Sequence, residues 1–283
     1  MKNAIKIKCP AKINLTLEIV NKREDGFHNI KSIMQTINLY DYLTISIREN
    51  TPTKIKLTGT NDSLPYDERN LVYKAAELFI NEAKINNIAI EIHIEKNIPI
   101  AAGLAGGSTD AAGTIWGLNY LLKKFNEPKL NELCAKLGSD LNVCLNGGCI
   151  LATSRGEITK KLPSVESQVT LLKPKNLGIS AGEAYKKYSL KIHKPQNNMT
   201  EKMLIAILDN EKLNPFLYND LEYAIFDDYK ELQAIKSAYP EAIMSGSGST
   251  YFILENIEKS NLDESYEFIN NLKFIPDGVS LSN

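Results

Sequence analysis

One stretch, Pro99-Ile100-Ala101-Ala102-Gly103-Leu104-Ala105-Gly106-Gly107-Ser108-Thr109-Asp110, constrains this chain more than any other. Upstream of it, Ile88-Ala89-Ile90-Glu91-Ile92-His93-Ile94 alternates apolar and polar residues with the period of a strand. Downstream, Ser108 to Leu122 carries alanines, Ile115, Trp116, Leu118 and Leu121 without a proline, which predicts a helix. A strand must therefore become a helix through a run that holds three glycines. Such a turn lets backbone approach a ligand closely, and the free N–H groups and positive dipole end of the helix favour an anion there. The Ser108 and Thr109 hydroxyls can donate to a phosphate oxygen or help to seat a magnesium ion. A tight strand-to-helix turn without a ligand would use the same glycines, so the spacing alone leaves both readings open. No lysine follows the paired glycines as in a Walker loop, and the G-x-G-x-x-G spacing of dinucleotide folds is absent.

The rest of the chain supports a mixed sheet with helices laid on it. Ile5 to Lys8, Ile13 to Ile19 and Leu43 to Ile47 alternate as strands, and Asn70 is a good cap for a helix over residues 70–79. A further helix is expected from Leu130 to Leu137, stopped by a left-handed Gly138, with Asp140 just beyond. After about residue 160 the pattern changes. A polar stretch from Lys186 to Asn198 precedes helical segments near 201–208 and 228–238, a strand over Tyr251 to Leu254, and a last helical pattern over Ser265 to Leu272. Residues 1–162 read as one α+β unit and residues 163–283 as a smaller one, and 283 residues suffice for two cores.

Charge excludes some function classes. The 33 basic and 34 acidic residues are spread along the chain and leave a formal charge of -1, so neither nucleic acid nor a membrane surface is an expected partner. Lysines interrupt the apolar residues of the N-terminus, and no run reaches the length of a membrane span, which points to the cytoplasm. Cys9, Cys134, Cys144 and Cys149 lack the spacing of a metal site and read as reduced, buried thiols. No metal ligands are assigned.

The glycine stretch, with Ala111 and Ala112 after it, resembles the ATP-binding motif of the GHMP kinases, the superfamily of galactokinase, homoserine kinase, mevalonate kinase and phosphomevalonate kinase. Pro10-Ala11-Lys12-Ile13-Asn14-Leu15 resembles the first motif of that superfamily, and Met244-Ser245-Gly246-Ser247-Gly248-Ser249-Thr250 the third. Asp25-Gly26-Phe27-His28, Met34-Gln35-Thr36, Leu137-Gly138-Ser139-Asp140, Arg155-Gly156-Glu157 and Asn219-Asp220-Leu221-Glu222 narrow the likeness to the branch acting on a cytidine diphosphate-linked methylerythritol. The resemblance covers nearly the whole chain. It implies a two-domain α+β fold, with an N-terminal mixed sheet of the ribosomal protein S5 domain 2 type and a ferredoxin-like C-terminal domain. It also implies ATP, with Mg2+, as phosphoryl donor, and a monomer or weak homodimer.

The same resemblance implies roles. Asp140 would act as general base on the acceptor hydroxyl, and Lys12 would orient that hydroxyl and stabilise the phosphate. Pro99 to Thr109 would hold ATP. Asn14 would contact the substrate, Phe27 and Tyr185 would sandwich the cytosine, and the His28 imidazole would hydrogen-bond its edge. Taken alone, a Phe-His pair in a turn more often packs than binds. The chain departs from the family after Asp140, where it has Leu141-Asn142-Val143-Cys144 in place of a proline and aromatic residues, at Ser249, which replaces proline, and at Ala181, which replaces threonine. The first change is expected to loosen the turn that aims Asp140. Rival readings are another GHMP kinase of homoserine or mevalonate type, disfavoured by Asp25 to His28, and a nucleotide-binding regulator without turnover, disfavoured by the retained Lys12 and Asp140.

Overall fold

The computed structural model describes residues 4–191 and 198–282. Strands β1 (Ala4–Lys22) and β2 (His28–Glu49) form a long antiparallel hairpin, from Ala4 opposite Ser46 to Lys22 opposite His28. The two apolar runs expected near the start are one strand, whose register shifts at Pro10/Ala11 and Asn14/Thr16 bend the pleat without breaking it. Burial is continuous from Cys9 to Ile19, because this part of β1 is covered on both faces.

Strand β3 (Lys54–Gly59) runs parallel to β4 (Ile88–Glu95), and β4 runs antiparallel to β2, so the sheet is mixed. The other end of β2 pairs with β5 (Cys149–Ser154), which pairs with β6 (Ile158–Lys161). Helices α1 (Leu71–Glu82), α2 (Gly106–Leu122) and α3 (Glu127–Leu137) cover one face over a core that includes Ile7, Leu43, Ile45, Phe79 and Ile115. Asn70 caps α1 by accepting from Val72 N at 2.9 Å. Helix α2 rests directly on β1: a Cβ at Gly117 would stand 2.2 Å from Ile7 Cδ1. A short α4 (Leu141–Asn146) follows Asp140.

The second half adds an antiparallel sheet of β7 (Gln168–Pro174), β9 (Ile243–Met244), β10 (Tyr251–Ile253) and β11 (Tyr266–Lys273), in the order β11-β7-β10-β9. Its helices are α5 (Ala181–Leu190), α6 (Met199–Leu208), α7 (Asp220–Ile225) and α8 (Lys230–Ala238). Two short strands return to the first sheet: β8 (Tyr218–Asn219) lies parallel to β1 and β12 (Ser280–Leu281) antiparallel to it. This is the expected α+β architecture.

Three local expectations are corrected. Residues 266–273 form a strand, because a register shift between Ile269 and Leu272 against β7 puts a bulge in the ladder, and the apolar spacing of Phe268, Ile269 and Leu272 then mimics a helix. Gly138 ends α3 with φ 170°, extended rather than left-handed. The polar stretch from Lys186 begins inside α5, whose first turn is capped by Ser180 accepting from Glu183 N at 3.2 Å. His193 lies outside the described residues. Among the described residues no helix is long and apolar enough to cross a membrane, and all four cysteines are buried free thiols.

Candidate active site

Between β4 and α2 the backbone turns sharply: Ala101, Gly103 and Ala105 have φ of 49°, 74° and 60°. Left-handed residues alternating with ordinary ones turn successive N–H groups to one side, a concavity suited to an anion. A side chain at Gly103 is impossible without movement, since its Cβ would stand 2.0 Å from Ser245 O. Helix α2 starts at Gly106 with neither a side-chain cap nor an acid in its first turn, so its leading N–H groups stay free for a ligand. Pro99 to Ser108 line a hollow of about 300 Å³, together with Lys96 and Asn70. Thr109 lines neither this hollow nor the larger cleft beside it, because its side chain is wholly buried.

The larger cleft, about 760 Å³, shares Gly103, Ala105 and Ser108 with the hollow. At this junction Lys12 and Asp140 meet, Nζ to Oδ2 at 3.3 Å. Lys12 is buried and aimed by its neighbours: Nζ donates to Asn14 Oδ1 at 2.7 Å and to Gly103 O at 3.2 Å. Asn14 is held in turn, its Nδ2 donating to Ser32 Oγ at 2.9 Å. The third motif closes the ring, since Ser245 Oγ accepts from Asn14 N at 3.3 Å and donates to Gly103 O at 3.0 Å. Segments far apart in sequence thus converge on one ammonium and one carboxylate.

The other end of the cleft is aromatic. Phe27, His28 and Tyr185 all line it. The ring stacked on Tyr185 is His28, with centroids 5.2 Å apart and planes 20° apart. Phe27 is 55% exposed, with the Arg155 guanidinium 5.2 Å over its face. Ser189 Oγ donates its proton to Tyr185 O at 3.0 Å and lies 3.1 Å from His28 Nε2. In the tautomer with the hydrogen on Nε2, the ring donates to Ser189 Oγ and Nδ1 is an acceptor for an amino group. Burial, helped by Lys22, lowers the His28 pKa and so favours the neutral ring.

Sequence reasoning missed a buried cluster beneath the cradle. Lys96 Nζ pairs with Asp41 and, at 3.0 Å, with Asp110, all three nearly inaccessible. Asp41 also accepts from Asn97 N at 2.6 Å and Ile98 N at 2.8 Å. Burial draws the Lys96 pKa down, but its two carboxylates more than offset this and hold it above the usual lysine value. A Cβ at Gly106 would come within 2.6 Å of Nζ, so the cluster lies directly under the first residue of α2.

The sequence profile of the GHMP kinases N terminal domain matches residues 70–150. The chain is 41% identical to the 4-diphosphocytidyl-2-C-methyl-D-erythritol kinase of Prochlorococcus marinus, over 98% of this chain and 93% of that one. The chain belongs to the 4-diphosphocytidyl-2-C-methyl-D-erythritol kinase family. A crystal structure of 4-(cytidine 5'-diphospho)-2C-methyl-D-erythritol kinase superposes with TM-score 0.73 at 29% identity, covering 88% of this chain and 90% of that one. The homoserine kinase of Cytophaga hutchinsonii superposes with TM-score 0.77 over 100% and 98% of the chains, but at 17% identity it shows the common fold alone. As a kinase of this family the protein is an ATP-dependent phosphotransferase acting on a small molecule.

Within this family the departures in the sequence have structural replacements. Leu141 is fully buried, and Asn142 Nδ2 donates to Glu157 O at 3.0 Å, which ties α4 to the Arg155 turn. The turn after Asp140 is therefore packed rather than loosened. Ser249 is buried and its hydroxyl donates to Leu177 O. Ala181 lines the cleft at the start of α5.

Proposed function

We propose that the chain transfers the γ-phosphoryl group of ATP to the 2-hydroxyl of 4-diphosphocytidyl-2-C-methyl-D-erythritol, giving ADP and the 2-phosphate. The observation that carries this reading is the Lys12–Asp140 pair at the junction of the phosphate cradle with the cleft. Phosphoryl transfer asks for position and charge more than for covalent chemistry. In this reading Pro99 to Ser108 receive the phosphates of ATP against the free N–H groups of α2, and Asp140 faces the acceptor. The Asp140 carboxylate takes the hydroxyl proton while the acceptor oxygen bonds to Pγ and the bond from Pγ to the β-bridging oxygen breaks. The Lys12 ammonium, fixed by Asn14 and Gly103, balances the charge gathering on the transferred group. His28 Nδ1 accepts from the cytosine amino group, and Phe27 and Tyr185 supply ring faces.

Among the described residues no three His, Cys, Asp or Glu side chains cluster as metal ligands. A magnesium ion would be carried mainly by phosphate oxygens and water, and the Ser108 hydroxyl and Asp140 carboxylate, which both line the cleft, are protein oxygens that could join them. When bound, the ion neutralises phosphate charge. The reading also includes a division of labour between residues 1–162 and 163–283, and a cytoplasmic monomer or weak homodimer.

The test is turnover of ATP by purified protein with 4-diphosphocytidyl-2-C-methyl-D-erythritol, homoserine and mevalonate supplied separately, beside an Asp140→Ala control. Turnover with the cytidine compound alone, lost in the control, supports the reading. Turnover with another acceptor overturns the substrate, and turnover that survives in the control overturns the base.

A further inference from the structure

Asn219-Asp220-Leu221-Glu222 is a motif that none of this chemistry uses. We infer that Asn219 and Glu222 are positioning residues: they hold the third glycine motif against the phosphate cradle and Lys12, and so set ATP binding and transfer. The inference rests on the proposed kinase site.

Asn219 is buried and fully committed. Its two amide hydrogens go to Met244 O at 2.6 Å and Gly246 O at 2.8 Å, while Oδ1 caps α7 by accepting from Leu221 N at 2.9 Å and Glu222 N at 3.4 Å. Glu222 Oε2 accepts from Met244 N at 2.9 Å, so both polar groups of Met244 are held by this one segment. The Glu222 carboxylate, itself buried, is balanced by the Lys236 ammonium at 3.4 Å. Asp220 grips the other side: Oδ2 accepts from Ile19 N at 2.7 Å, on the same strand as Lys12 and Asn14.

What the segment holds is within reach of the reacting groups. Gly246 lines the cleft with a φ of 55°, and a Cβ there would lie 3.0 Å from Gly103 O and 3.3 Å from Lys12 Nζ. Ser245, next to it, bridges Asn14 and Gly103. The motif is therefore fixed on one face by Asn219 and Glu222 and presses on the cradle with the other. Packing alone needs no donor pair aimed at two carbonyls of a glycine turn, and a misplacement of about 1 Å at such a site costs on the order of 100-fold in rate.

The experiment separates clamp from cap. Asn219→Asp keeps the acceptor that caps α7 but turns an acceptor toward Met244 O and Gly246 O. Glu222→Gln keeps an acceptor for Met244 N, and Glu222→Leu removes it. The expected result is a KM for ATP raised and a kcat lowered, each by about 10-fold or more, in Asn219→Asp and Glu222→Leu. Glu222→Gln is expected to stay near wild type, and cytidine diphosphate binding to stay unchanged in every variant. A loss of folding alone lowers the active fraction and leaves KM for ATP where it was; that outcome, or kinetics matching wild type, overturns the inference. If Asn219→Asp does not fold, Asn219→Ser retains a capping hydroxyl without the buried charge and carries the same expectation. Should the wild-type protein fail to turn over the cytidine compound, the proposed function fails by itself. The clamp is then read by calorimetric titration with a non-hydrolysable ATP analogue, where about 10-fold weaker binding in Asn219→Asp supports it and unchanged binding overturns it.

Discussion

Lys12 Nζ and Asp140 Oδ2 stand 3.3 Å apart, with the lysine 3% exposed and the aspartate 31%. One partner is fixed inside the protein and the other opens to the cleft, as a base that must meet an incoming hydroxyl requires. Asp140→Asn is expected to lower kcat by roughly 100- to 10,000-fold with little change in KM for ATP. Lys12→Met is expected to lower kcat comparably and to cost about 1–3 kcal/mol of stability, because the buried Asn14 Oδ1 loses its Lys12 donor and Gly103 O is left with Ser245 Oγ alone. Single-turnover kinetics and thermal denaturation of the two variants check both statements.

Two glycines of the cradle should answer differently to alanine. At Gly103 a Cβ meets Ser245 O at 2.0 Å on a backbone of φ 74°, so Gly103→Ala is expected to destabilise by about 2 kcal/mol or more. At Gly107 a Cβ meets nothing within 4 Å, and alanine is the better helix former by about 1 kcal/mol. Gly107→Ala should therefore fold at least as stably as wild type while its KM for ATP rises, because the methyl enters the hollow. Melting temperatures and ATP kinetics measured side by side decide this.

The buried cluster gives a pH signature. Burial pushes the Asp110 carboxyl up, to about 7, against the pull of Lys96 and with the repulsion of Asp41. An unfolded chain releases that proton near pH 4, so between about pH 4 and about pH 7 the folded protein binds more protons at this position. Its contribution to stability falls as the pH rises through that window and is level above it. Going from about pH 5 to about pH 8, the melting temperature of wild type should drop further than that of Asp110→Asn. Equal drops would show that Asp110 does not titrate there.

Acid should weaken the cytidine end separately. The His28 pKa is lowered by burial and then by Lys22, and only the neutral ring offers Nδ1 as an acceptor. Cytidine diphosphate affinity is expected to be flat above about pH 6.5 and to fall as the pH drops through the lowered pKa. His28→Gln should bind more weakly and lose that pH dependence, while its KM for ATP stays unchanged. Calorimetric titration across pH measures this without involving Asp140.

Much of the fold was legible because local signals agreed. The alternation of Ile88 to Ile94 became β4, Asn70 became the cap of α1, and the three motifs met where their order implied. What stayed hidden depended on facts that spacing does not carry. A bulge between Ile269 and Leu272 gave strand β11 the apolar pattern of a helix. Phe27 and His28 are adjacent, and sequence cannot say which of two neighbouring rings will stack on Tyr185; the structure puts His28 there. Asp41, Lys96 and Asp110 read singly as ordinary charges, and only the packing of α2 on the sheet makes them one cluster. Asn219 to Glu222 was visible as a motif, but its reach to Met244 and Gly246 was not.

Strand β1 draws its partners from residues 28–49, 218–219 and 280–281. During synthesis from the N-terminus, the ribosome delivers residues 280–281 long after Ile7 and Lys8. Until then the edge of β1 at Ile7 and Lys8 presents unpaired backbone to its surroundings, the kind of edge that recruits wrong partners. The strand that carries Lys12 is thus made well before the last of its partners can complete it.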